Sequence, residues 1–238
     1  MVQKNYYKNK FSKSLAKKKI KIKSFFYKKN WLAHHGLERS GTNFLRACLI
    51  ELKIDLINQF DPPENNPTHK HFRWYNDKSL IPKFRQQFHN KYVVNNIFDI
   101  NKICNFPSET KHIIIKKKIG PAITSIANYL HNERLLNNKD EVKKNISTIY
   151  KDYQAYYNFW HKISERNPYH VQLLFYEDLI LSSKYLIDNL KKIGIETIKN
   201  VPTFFHFDEL HQSNKNRNKV FTEKEVLDIL DDQNYYKI

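Results

Sequence analysis

Glycine is scarce in this chain: four residues in 238, beside one methionine and two cysteines. Cys48 and Cys104 are too few for a disulfide framework or a zinc-finger ligand set, so a reducing compartment is the simpler setting. No stretch of about 18 apolar residues occurs, so no membrane-spanning helix is encoded. The N-terminal segment lacks the apolar core of a secretory signal. Residues 1–30 contain no Asp or Glu, against eleven Lys. These absences leave a soluble, cytoplasmic domain as the expectation.

What is present suffices for a core: 40% of residues are hydrophobic and 14% aromatic, in a length that suits one domain. The formal net charge is +17, and eleven of those charges come from residues 1–30. The expected organisation is a basic arm over 1–29 joined to one domain over 30–238. Such an arm suits the anionic headgroups of a membrane surface, which would make the protein peripheral to it, or nucleic acid. Yet the chain uses 34 Lys against 7 Arg, with 26 Asn, a bias that an AT-rich coding sequence explains and that favours a merely solvated arm. No helix-turn-helix, zinc-finger or RNP-like motif accompanies the charge, which disfavours nucleic acid.

Trp31 to His35 reads as a short strand opening into a glycine-containing loop. Thr42 to Leu52 follows as a helix with Leu45, Cys48, Leu49 and Leu52 on one stripe. Asp61 to Pro67 and Asn214 to Asn218 are turn-rich breaks. Ile113 to Ile115 suits a buried strand, followed by a helix from Pro121 to His131 with proline in its first turn. A longer helix, Ser147 to Arg166, leads to the strand Val171 to Phe175, and Ser182 to Ile193 is helical again. Thr222 and Glu225 have the spacing of a capping box that opens a last helix. Strands alternating with helices imply a parallel sheet covered on both faces, so the class is α/β.

The informative segment is Gly36-Leu37-Glu38-Arg39-Ser40-Gly41-Thr42-Asn43-Phe44, which holds two of the four glycines. Strand, glycine loop and helix start form a phosphate-binding geometry, because backbone N–H groups converge and the helix N-terminus adds positive potential. Gly36 and Gly41 have the G-x4-G spacing of a Walker A loop, but Thr42 stands where that motif requires Lys. The cation of this loop is Arg39, inside the turn. A P-loop nucleotide kinase or NTPase is therefore the weaker alternative, and a basic nucleic-acid-binding protein is a third.

Arg39-Ser40-Gly41-Thr42 opening a helix resembles the 5′-phosphosulfate loop of sulfotransferases that use 3′-phosphoadenylyl sulfate (PAPS). Two further segments carry the resemblance. The strand Ile113 to Ile115 leads through Lys116 to Lys117, with Ser125 eight residues on, as in the family's 3′-phosphate motif. Tyr176-Glu177-Asp178-Leu179 follows the next strand, as in the family's YEDL. Lys118 and Ile119 depart from the Asn-Pro of the bacterial and viral branch, which leaves the basic residue open between Lys116 and Lys117. The resemblance covers about Asn30 to Phe207. It implies a three-layer, P-loop-like fold with a central parallel sheet flanked by helices. It also implies PAPS as sulfuryl donor, no metal, and a hydroxyl or amine acceptor, with glycans the common bacterial theme. Arg39, Ser40, Gly41, Thr42 and Asn43 would hold the 5′ end, and Lys117 with Ser125 the 3′-phosphate.

Sulfuryl transfer resembles phosphoryl transfer, in that positioning and charge neutralisation dominate. Arg39 suits the charge that grows on the leaving oxygen. The family takes its base from a strand end after the first helix, often a His preceded by Lys, and Thr68-His69-Lys70-His71-Phe72-Arg73 resembles that element. His71 is the first choice, with Lys70 near the transferred group; His69 and the loop carboxylate Glu38 are the alternatives. Plainer readings stand beside these. Ser125 suits a solvent-facing helical position, Glu177 and Asp178 suit capping, and Tyr156, Tyr157, Phe159 and Trp160 suit core packing. His34 and His35 read as packing or supporting groups beside the loop.

Overall fold

The computed structural model describes residues 31–60, 62–82, 92–136, 138–197 and 219–232. The basic arm, Asp61 and Asn214 to Asn218 lie outside the described residues. Trp31 to His35 is buried throughout, as a strand covered on both faces must be. Its regular part, β1 (Leu32–His35), pairs in parallel with β2 (Lys111–Lys116), and β2 pairs in parallel with β3 (Val171–Phe175). Leu32 stands opposite Lys111, and Lys116 opposite Phe175.

On the other edge of β1, Leu32 bridges in parallel to Leu56, and Ile57 N donates to Leu32 O at 2.9 Å. A side chain then continues the ladder. Asn58 Oδ1 accepts from His34 N at 3.0 Å, and its Nδ2 donates to His34 O at 2.8 Å. The chain thus leaves β1 toward Leu56 and returns past β1 to β2 on the opposite edge. Such a reversal is a topological switch point, and open parallel sheets bind ligands in the crevice outside the strand ends at that point.

Seven α-helices are present among the described residues: α1 (Thr42–Glu51), α2 (Ile97–Cys104), α3 (Ile119–Asn132), α4 (Lys139–Arg166), α5 (Tyr176–Leu179), α6 (Ser183–Lys192) and α7 (Glu223–Asp232). The pleat of β2 divides the core between them. Ile113 and Ile115 join Leu45 and Leu49 of α1 and Leu186 and Leu190 of α6. Ile114 joins Ile123 of α3, Tyr157 and Trp160 of α4, and Val226 of α7. Each of these isoleucines is fully buried, which stabilises the fold by about 1.5–3 kcal/mol apiece. Helices therefore cover both faces of a parallel sheet. The class is α/β, in an arrangement compatible with three layers.

Three elements differ from the sequence reading. Helix α4 begins at Lys139 rather than Ser147, because Asn138 Oδ1 caps Glu141 N at 2.8 Å and Asp140 and Glu141 suit the positive end of the helix. Helix α3 begins at Ile119, two residues before Pro121, which still lies in the first turn where no amide donor is needed. Helix α2, opened by a capping box between Asn96 and Asp99, was not anticipated. The capping box at α7 is as expected, with Thr222 N donating to Glu225 Oε2 and Glu225 N to Thr222 Oγ1. No helix among the described residues is long and apolar enough to cross a membrane.

Candidate functional site

Gly36 to Gly41 lies at the C-terminal end of β1, at the switch point. Ser40 closes the turn on Leu37, whose carbonyl receives both Ser40 N (3.2 Å) and Ser40 Oγ (2.6 Å). The glycines are required by close approach. A Cβ on Gly36 would stand 2.6 Å from Ser40 Oγ and 2.8 Å from Ile115 O, and one on Gly41, at φ 96°, would stand 2.3 Å from the Tyr176 ring. Arg39 itself is left-handed at φ 66°, which costs a non-glycine residue about 1–2 kcal/mol. That backbone carries its guanidinium to 5.7 Å from the centre of the Tyr129 ring on α3.

Helix α1 starts on Gly41, with no side-chain cap and no acid in its first turn. Helices α2, α4 and α7 all carry capping side chains on Asn96, Asn138 and Thr222. The start of α1 has no capping side chain, as is also true of α3, α5 and α6, and such a helix start beside a glycine loop suits an anion. Thr42 is buried and Asn43 exposed at this end. Lys70 adds a second cation there, its Nζ donating to Asn43 Oδ1 at 3.0 Å.

The two lysines at the end of β2 part company. Lys116 Nζ lies over the rings of Tyr157, Tyr153 and Phe175, at 5.5, 5.8 and 6.0 Å, and burial holds its pKa below the ordinary value. Lys117 Nζ lies 5.3 Å over Tyr176. Its pKa is lowered by burial first; Glu177 then raises it and the charge of Arg39 lowers it. Arg39 and Lys117, from two strand ends, thus stand close enough to repel. Ser125 lies half-buried one turn before Tyr129 on the same face of α3, so its side of the helix is the one that Arg39 meets. The N-terminus of α3 is different from that of α1. Glu177 Oε1 accepts from Lys118 N at 2.9 Å, and a Cβ on Gly120 would stand 2.4 Å from Glu223 Oε1. Protein carboxylates already meet that end, and Glu177 is structural, though not in its own turn.

His69, Lys70 and His71 pass directly under the loop. Gly36 N donates to Lys70 O, and His71 Nδ1 donates to Gly36 O at 2.5 Å. A carbonyl partner fixes the tautomer: Nδ1 carries the proton and Nε2 is the free base nitrogen. Burial lowers the His71 pKa to about 4, against the opposing charge of Glu38 and the Gly36 bond, so the ring is neutral at neutral pH. His69 differs. Its Nδ1 accepts from His71 N at 3.2 Å, so its proton sits on Nε2 and its basic nitrogen is already bonded.

Helix α4 fastens these segments from one side. Tyr156 OH donates to Lys70 O (3.3 Å), Tyr153 OH to Lys117 O (2.5 Å) and Tyr157 OH to Ile115 O (3.0 Å). Asp152 receives Nε and Nη2 of buried Arg73 at 2.8 and 2.7 Å. The rings are core packing, as read from the sequence, but their hydroxyls also tie down the strand ends. Behind the loop, Asn101 Nδ2 donates to Ser108 O, which turns its Oδ1 toward His112 Nε2 at 2.8 Å. His112 Nδ1 must then accept from His35 Nε2 at 3.0 Å. Burial holds the pKa of His35 well below its ordinary value, with His112 adding to the effect, and burial holds that of His112 at about 3.

Asp152, Tyr153, Arg73, Asn58 and His112 are parts of this arrangement that the sequence reading did not single out. Of these, Tyr153 offered a signal, spaced at i, i+4 from Tyr157 on the buried face of α4. No group of three His, Cys, Asp or Glu side chains suited to a metal ion is found among the described residues. No known protein family, no curated protein and no solved structure matches the chain.

Proposed function

We propose that this chain is a PAPS-dependent sulfotransferase on a three-layer, P-loop-like fold, transferring a sulfuryl group to a hydroxyl or amine acceptor such as a glycan. The observation that carries the reading is the convergence of cations at the switch point. Arg39 lies in the loop that runs into α1 and acts electrostatically on Lys117, which lies over Tyr176 next to Gly41, while Lys70 is tethered to Asn43 at the start of α1. Two phosphate groups on one nucleotide would answer two like charges held close together. The loop lacks the lysine of an NTPase, which favours a donor gripped by Arg39 over one gripped by a Walker loop.

Within this reading the chain's own groups divide the work. The amides of Thr42 and Asn43, with Arg39, hold the 5′ end and meet charge on the leaving oxygen. Ser40 shapes the turn, since its amide and hydroxyl are both turned on Leu37. Lys117 and Ser125 meet the 3′-phosphate. His71, neutral and with Nε2 open to accept, takes the acceptor's proton.

Calorimetric titration with 3′-phosphoadenosine 5′-phosphate (PAP), ADP and AMP tests the proposal. PAP is expected to bind at least tenfold tighter than ADP, a difference of about 1.4 kcal/mol. Equal affinity with and without the 3′-phosphate would overturn it.

A further inference from the structure

We propose that Arg73 is a positioning residue, clamped by Asp152 of α4 so that one guanidinium sets the phosphate loop against the segment that carries His71. The geometry is a closed circuit. Nη1 and Nη2 of Arg73 donate to Glu38 Oε1 and Oε2 at 3.3 and 3.1 Å, and Nη1 also reaches His71 O at 3.4 Å. His71 in turn donates from its ring to Gly36 O, two residues before Glu38. Beyond the backbone bond from Gly36 N to Lys70 O, side chains therefore join loop and base segment twice, once through the imidazole and once through the guanidinium.

A plain core ion pair would need less. Asp152 alone neutralises Arg73, and a second carboxylate leaves the trio with an excess negative charge in a buried place. Burial works against the charge of Arg73, but Asp152 and Glu38 together hold its pKa well above the ordinary value. Glu38 lies between Gly36 and left-handed Arg39, so fixing its carboxylate also fixes the backbone that aims Arg39. Only a planar fork with several donors can hold two carboxylates and a carbonyl at once; an ammonium is a single point.

The test is hydrogen exchange of the His71 Nδ1–H, followed by NMR at neutral pH in the full chain without nucleotide. Glu38→Gln keeps the side-chain shape and leaves Arg73 on Asp152, so the fold is retained. Exchange at His71 is expected to quicken at least tenfold in Glu38→Gln while the buried Trp160 indole N–H is unchanged, and Glu38→Asp is expected to restore slow exchange in part. Arg73→Lys should behave as Glu38→Gln does; if that variant does not fold, the Glu38 pair decides alone. Unaltered His71 exchange in folded Glu38→Gln would overturn the proposal, as would equal quickening at Trp160. This inference rests on the sulfotransferase reading only for its kinetic consequence, a loss of turnover of about tenfold or more. Quickened His71 exchange in a chain that does not bind PAP would uphold the positioning and sink the reading. PAP binding with unaltered exchange would do the reverse.

Discussion

Tyr157 joins Leu37 to Ile115: its hydroxyl accepts from the Leu37 amide at 3.3 Å and donates to the Ile115 carbonyl at 3.0 Å. One phenol thereby closes the gap between the end of β1 and the end of β2, where no ladder bond reaches. Tyr157→Phe would leave a buried donor and acceptor unpaired, at about 1–3 kcal/mol. Urea unfolding should register that loss. PAP affinity should fall as well, since the loop is released from its neighbour; a variant that unfolds earlier yet binds PAP unchanged would show that the clasp serves stability alone.

Acid should unsettle this fold earlier than carboxylate titration does. His71 is held at about 4, His112 at about 3 and His35 well below its ordinary value, mainly by burial. In the unfolded chain these rings take up protons from about pH 6.5 downward. Between that pH and about 4 the unfolded state binds more protons, so stability is complete above the window and is lost as pH falls through it. Urea midpoints at pH 7.5 and pH 5 should differ clearly, with uptake of more than one proton on unfolding at pH 5. Identical midpoints would contradict the burial of these rings.

The carboxylates at the start of α3 should weaken nucleotide binding. Glu223 stands beside Gly120 and acts on Lys117. Glu223→Gln is expected to tighten PAP more than ADP, by a fewfold, and Ser125→Ala to narrow the PAP–ADP gap while sparing the 5′ end. Calorimetry on both variants decides it. If neither ratio moves, the 3′-phosphate lies elsewhere.

Arg39→Ala and His71→Ala should fail in different ways. Losing a transition-state donor at Arg39 should cost turnover about 10²-fold or more, with weaker PAP binding. Losing the base at His71 should cost about 10²–10⁴-fold with little change in PAP affinity. The acid limb of kcat/KM should also lie nearer pH 4 than the 6.5 of an ordinary histidine, because burial disfavours the charged ring. Should His69→Ala prove the damaging change instead, the tautomer argument fails.

The strands and the loop were legible because they are local. Ile113 to Ile115 reads directly as a buried run, and Gly36 to Phe44 announces a strand–loop–helix turn in nine residues. What escaped depends on distance in sequence. Asp152 and Arg73 meet across 79 residues, and nothing local to either marks a partner. His112 stands directly before the isoleucine run Ile113 to Ile115, yet it becomes the middle of a polar chain only because Asn101 and His35 reach it from α2 and β1. Helix α2 was missed for another reason: eight residues give too short a period to stand out, and its capping box rests on Asn96 and Asp99 rather than on Ser or Thr with Glu. The neutrality of His71 was not legible either, since it comes from burial that only the packed loop provides.

The amide of Asn58 gives β1 a finished border. A backbone neighbour would present a fresh row of donors and acceptors on its far side, but a side chain spends both of its polar atoms on His34 and passes nothing on. Asn58 and His34 are both buried, so the polar groups of β1 at this point are already taken and are not offered to a foreign strand. Among the described residues, Asn58 thus ends the backbone ladder on this edge of β1 without charge or proline. Asn58→Asp would keep the acceptor but lose the donor, reopening one carbonyl on the strand that leads into the Gly36–Gly41 loop.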